Sequence, residues 1–129
     1  MSIEMKILAW SIVLGLVHVL VAASLSTAQR GLLWNMGPRD GAPAPLTGLA
    51  GRLDRASRNF LETFVFFAAA VLMLAFLQKG NEHTVLGAQI WFWARVAYLP
   101  AYAIGIPFLR TAVWAVALVG LVMVVSALF

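Results

Sequence analysis

The chain has 129 residues, of which 63% are hydrophobic and only 11% charged. Soluble domains run near 45–50% apolar and about 25% charged, so this composition excludes a soluble globular domain. It leaves room for one membrane domain of about four spans at about 20 residues each. No cysteine is present, which excludes disulfides, thiolate metal sites and a cysteine nucleophile. The net charge is +4, but the nine basic residues are scattered between apolar runs. They read as topology signals and anchors for anionic groups, not as a nucleic-acid surface.

The first apolar run covers about residues 7–27. Ala22, Ala23, Ser24 and Ala28 resemble a cleavage region, yet the run exceeds the roughly 7–15 residues of a signal core. It is read as a retained helix. The second, third and fourth runs cover about 58–78, 85–103 and 108–129. Lys79 to His83 form a tight turn between the second and third. Pro100, Gly105 and Pro107 turn the chain into the fourth. Residues 28–54 are rich in Gly and Pro, show no helical or strand period, and are expected to form one long loop with Trp34 as an interfacial anchor. The expected fold is therefore an all-α integral membrane protein, a bundle of four transmembrane helices in a single domain spanning 1–129.

Lys6 and Lys79 mark one side of this bundle; Arg30, Arg39, Arg52, Arg55, Arg58 and Arg110 mark the other. The positive-inside bias predicts that the long loop and the 104–110 connection are cytoplasmic and that both termini lie on the non-cytoplasmic side. Compact loops point to a bacterial inner membrane.

Polar residues inside the spans carry the functional signal, because a charge there costs a few kcal/mol and needs a partner. Arg55, Arg58, Asn59 and Glu62 fall within an arc of about 100° on one helix face. Arg95, Tyr98 and Tyr102 share a face of the third span, and Arg110 opens the fourth with Thr111 beside it and Trp114 one turn deeper. Each has a bland reading. Arg58 and Glu62 are spaced to neutralise each other, Arg52 and Arg55 suit lipid phosphates, and the tyrosines suit an interfacial belt. As a set on three helices they predict a basic pocket with one carboxylate and two phenols. Arginine forks match carboxylates and a carboxylate matches an ammonium, so the fitting ligand is a small zwitterion with more than one carboxylate. An arginine near a thiol favours the thiolate. His18 reads as a helix–helix hydrogen-bonding partner. It and His83 lie too far apart for one metal site, and no metal is expected. Trp91, Trp93 and the phenylalanines of the second span read as packing or lipid-facing groups. Gly15 and Ala68 to Ala70 read as close-approach points.

The stretch Arg52-Leu-Asp-Arg55-Ala-Ser-Arg58-Asn59-Phe-Leu-Glu62-Thr resembles the span-two motif of the MAPEG family, membrane-associated proteins in eicosanoid and glutathione metabolism. Ala94-Arg95-Val-Ala-Tyr98-Leu-Pro-Ala-Tyr102, followed by Arg110, resembles its second signature. The resemblance covers about residues 5–129. It implies a homotrimer that binds glutathione as cosubstrate between neighbouring subunits near the cytoplasmic face. It also implies that the ligand is held by Arg55, Arg58, Asn59 and Glu62, by Arg95, Tyr98 and Tyr102, and by Arg30. Arg110 would stabilise the thiolate, with Thr111 at the position of a catalytic serine candidate in one branch.

Trp114 departs from the tyrosine of several active members, and the 34–40 sequence matches no eicosanoid-enzyme motif. The implied activity is transfer of glutathione to a lipophilic small molecule, with peroxidase chemistry as a variant and membrane lipids as surroundings. A catalytically silent scaffold of the same fold, supported by Trp114, is the alternative. A small proton-coupled cation transporter is a weaker one, because the arginine stripe repels cations.

Overall fold

A computed structural model describes residues 1–129. It contains five helices: α1 (Ile3–Arg30), α2 (Leu32–Met36), α3 (Gly48–Leu77), α4 (Glu82–Ile104) and α5 (Pro107–Ser126). Three of the four long ones start at a local signal in the sequence. Ser2 caps α1 by accepting from the Met5 amide at 3.2 Å. Asn81 and Thr84 form a reciprocal capping box at the start of α4. Pro107 occupies the first turn of α5, where its missing N–H costs nothing. Gly105 ends α4 at φ 82°, a left-handed conformation that glycine adopts freely.

The chain is an all-α integral membrane protein. Helices α1, α3 and α5 are long and apolar enough to cross a membrane. The 23-residue α4, which covers the expected third span, is not among them; it carries Glu82, His83, Gln89 and Arg95. It packs most extensively on α5, while α1 packs on α3. Leu8 of α1, Phe60, Phe67 and Val71 of α3, Trp91 of α4, and Leu121 and Val124 of α5 form the main core. Trp91 stacks on Phe67 at 4.0 Å between centroids, as its packing role requires, and Trp93 is 64% exposed on the bundle surface.

Lipid supplies little hydrophobic drive between helices, so close packing at small residues matters. A Cβ at Gly15 would sit 3.0 Å from the Phe60 ring, in keeping with its sequence reading. The tightest approach lies elsewhere. A Cβ at Gly120 of α5 would lie 2.5 Å from both the Gly87 carbonyl oxygen and the Trp91 amide nitrogen of α4. Of the alanine run, Ala70 is buried and Ala69 faces outward.

The 28–54 loop is shorter than its composition implies. Residues 28–30 finish α1, 32–36 form α2, and α3 begins at Gly48, ten residues before the apolar run. The early turns of α3 do have a helical period, in which small and large residues alternate: Ala50, Leu53, Ala56 and Phe60 are all buried. Arg52 secures them by donating to the Ala103 carbonyl at 3.0 Å. The irregular remainder, 37–47, is tied to the end of α1. There Gln29 donates to the Thr47 carbonyl at 2.9 Å and accepts from its amide at 3.1 Å.

Both termini and the 78–81 turn share one end of the bundle. Lys79 Nζ donates to the Leu128 carbonyl at 2.9 Å, and Thr84 donates to buried Glu4 at 2.7 Å. The arginine-rich segments lie at the opposite end, in agreement with the side-by-side grouping of charges.

Candidate functional site

Three helices place their polar faces together at the arginine-rich end. Arg55, Arg58, Asn59 and Glu62 from α3, Tyr98 and Tyr102 from α4, and Arg110 from α5 line one open cleft of about 260 Å³. A contiguous compartment of about 150 Å³ shares Asn59, Tyr98 and Arg110 and adds Thr111 and Trp114. The helical spacings explain the convergence, since positions three and four apart share a face.

The walls of the cleft are tied across helices. Arg55 Nε donates to the Tyr102 hydroxyl at 3.2 Å. The Arg110 guanidinium sits 4.9 Å from the centre of the Tyr102 ring, within cation–π range. Tyr98 and Tyr102 meet edge to face at 5.5 Å. Ala56, Tyr98 and Tyr102 form a small buried cluster, backed by Val113 and Trp114, that holds the two phenols in place. Thr111 spends its hydroxyl proton on the Pro107 carbonyl at 3.1 Å, which leaves its oxygen as an acceptor.

Several residues differ from their sequence reading. Arg58 pairs with Asp54 at 3.2 Å, not with Glu62. Asp54 is also four residues away, and either carboxylate satisfied the spacing. Glu62 is thereby left without an ion pair while lining the cleft. Arg95 is absent from the cleft lining. Its side chain is fully buried behind the wall, where Nη1 donates to Asn59 Oδ1 at 2.9 Å and the guanidinium lies 4.3 Å from the Tyr98 ring centre.

Arg30 also stays outside the cleft and donates from Nε to the Ala44 carbonyl at 2.9 Å, bracing the 37–47 segment. His18 makes no hydrogen bond; it is buried and stacks on Phe60 at 4.8 Å, so its contribution between helices is aromatic. Trp114, which the sequence reading placed one turn deeper than Arg110 and also named as a departure, lines the smaller compartment. Its position one turn after Arg110 was the available signal.

The cost of burying Arg95 can be weighed. A guanidinium within the hydrocarbon costs at least about 2.5 kcal/mol. A charged hydrogen bond to Asn59 returns about 1.5–3 kcal/mol. Cation–π contacts with Tyr98 and with Phe60, at 5.3 Å, each return about 0.5–2 kcal/mol. Neutral partners can therefore carry the burial.

Two larger hollows, of about 440 and 480 Å³, flank Glu4 at the opposite end. No cationic side chain lines either, and the Glu4 carboxylate already accepts from Thr84. They lack the converging charges that distinguish the cleft.

A bundle of long apolar helices with arginines and tyrosines gathered in a cleft at one end defines an integral membrane protein. The family profile agrees: residues 7–129 match the MAPEG family, and the chain belongs to it. No individually curated protein matches the chain.

Proposed function

We propose that the protein is a membrane-bound glutathione-dependent transferase that activates glutathione as a thiolate and passes it to lipophilic electrophiles. The observation that carries this reading is the single cleft in which Arg55, Arg58, Glu62, Tyr98, Tyr102 and Arg110 converge. Family membership is consistent with transferase or peroxidase activity and with glutathione as cosubstrate.

In this reading α4 also crosses the membrane, as the third of four spans, and three copies assemble into a homotrimer whose neighbouring subunit closes the open side of the cleft. Arg55 and Arg58 hold the carboxylates of glutathione by charge-assisted hydrogen bonds. Glu62, free of an ion pair, accepts from the ammonium. Asn59, Tyr98 and Tyr102 supply the neutral contacts. Arg30 does not line the cleft of its own chain, and in the homotrimer it serves the ligand held by the neighbouring subunit.

Arg110 stabilises the thiolate after the thiol proton has passed to water, and Thr111 lies beside it. The sulfur lone pair then forms the new carbon–sulfur bond, and the leaving group departs with its bonding pair. Catalysis is electrostatic stabilisation plus positioning, with the electrophile arriving from the bilayer. The cleft end faces the cytoplasm of a bacterial cell, across the inner membrane from both termini.

A scaffold without turnover is the second reading. It is favoured by Trp114, whose indole donates but cannot accept a hydrogen bond. Conjugation of glutathione to a chloro-nitroaromatic by the purified protein separates the two. Turnover saturating in glutathione supports the transferase; glutathione binding without turnover of electrophiles or hydroperoxides supports the scaffold.

A further inference from the structure

We propose that Arg95 acts from behind the cleft wall, fixing Asn59 as a hydrogen-bond donor toward the bound anion and adding a positive charge that no ligand atom touches. This rests on the glutathione reading of the cleft.

Three observations carry it. Arg95 is 0% exposed and does not line the cleft, so it cannot touch the ligand there. It touches two residues that do, Asn59 at 2.9 Å and Tyr98 at 4.3 Å from the ring centre. Its Nε and Nη2 have no hydrogen-bond partner, and the one ion pair of the chain joins Arg58 to Asp54, so no carboxylate neutralises it.

The consequence for Asn59 is chemical. A guanidinium has only donors, so it binds the amide oxygen and never the amide nitrogen. With Oδ1 engaged, what Asn59 offers to the cleft is its NH₂ group. The amide thereby becomes a donor in both compartments, next to Arg110. An anion that accepts this bond also meets the field of Arg95 through a wall of low dielectric, where a charge acts over a longer range than in water. A thiolate, with one more negative charge than a thiol or thioether, gains most from that field. The finished thioether conjugate loses this advantage, which favours its release.

Asn59→Asp and Arg95→Met, with Arg95→Lys as the conservative variant, test the proposal in the intact detergent-solubilised protein. Asp has the shape of Asn, pairs with Arg95 and neutralises it while replacing the donor by an acceptor. The expected result for Asn59→Asp is an unfolding midpoint that holds or rises together with glutathione affinity at least tenfold weaker. A merely structural role for the pair would leave affinity unchanged in a protein so stabilised.

For Arg95→Met the expected result is about tenfold less thiolate absorbance from bound glutathione at a fixed pH. Arg95→Lys restores most of it. S-methylglutathione, which has no ionisable thiol, should lose far less affinity in Arg95→Met than glutathione does. Wild-type binding of glutathione together with unchanged affinity in Asn59→Asp and unchanged thiolate in Arg95→Met would overturn this proposal alone. Absence of glutathione binding in the wild type would overturn the glutathione reading and this proposal with it.

Discussion

Arg55 donates from Nε to the hydroxyl of Tyr102, 3.2 Å away on the neighbouring helix. The bond joins α3 to α4 at the cleft and sets the direction of the guanidinium fork. Tyr102→Phe removes the acceptor and keeps the buried ring. The expected outcome is a fold stability within about 1 kcal/mol of wild type, since Arg55 is exposed and water replaces the lost acceptor. Glutathione affinity, measured by calorimetry, should fall by about three- to tenfold as Arg55 loses its orientation. An unchanged affinity would place Arg55 outside the ligand contacts.

Glu62 lines the cleft, is exposed in the single chain and makes no ion pair. Glu62→Gln should leave folding intact and weaken glutathione binding by about tenfold, the scale of one charge-assisted contact to the ammonium. Glu62→Leu should go further and damage assembly or binding. Normal trimer content and unchanged glutathione affinity in both variants would remove Glu62 from the site.

The α4–α5 interface depends on the absence of two side chains. In Gly120→Ala the new Cβ would fall 2.5 Å from backbone atoms of Gly87 and Trp91, so the helices must separate. Overpacking of this kind costs about 1–3 kcal/mol. Thermal unfolding in detergent should show a lower midpoint for Gly120→Ala, whereas Ala69→Gly, on the exposed face of α3, should cost only about the 1 kcal/mol of helix propensity. A midpoint unchanged in Gly120→Ala would contradict the contact.

At the opposite end, Thr84 donates to buried Glu4 at 2.7 Å and links α1 to α4. Thr84→Val keeps the shape and removes the donor. It also removes the hydroxyl half of the Asn81 capping box. The expected loss is about 1–3 kcal/mol of stability, from an unsatisfied carboxylate and a weakened cap, with glutathione affinity unchanged because the cleft lies at the far end.

Much of the cleft lining was legible because helical spacing is a strict geometric rule. Arg55, Asn59 and Glu62 share a face whatever surrounds them, and the same holds for Tyr98 and Tyr102. Arg95 obeys the same spacing yet lies behind the wall, because a face is wide enough to contain both cleft and core. Spacing alone does not say which residue of a stripe is covered by a neighbouring helix.

The choice of Asp54 over Glu62 as partner for Arg58 is of the same kind. Both are four residues away, and only the surrounding packing separates them. The start of α3 was hidden for another reason. Apolar periodicity reports large side chains, while Ala50 and Ala56 pack by being small. Gly87 and Gly120 escaped notice likewise, since a close approach needs both partners and the sequence shows each alone.

The account stands most directly on activation of glutathione by Arg110. An ultraviolet difference spectrum of the purified protein with glutathione, compared between wild type and Arg110→Ala, measures the thiolate itself. The account predicts thiolate absorbance near neutral pH in the wild type and its loss in the variant, with glutathione still bound through Arg55 and Glu62. Thiolate absorbance of equal strength in Arg110→Ala would contradict the role given to Arg110, and absence of any signal or binding in the wild type would contradict the transferase reading as a whole.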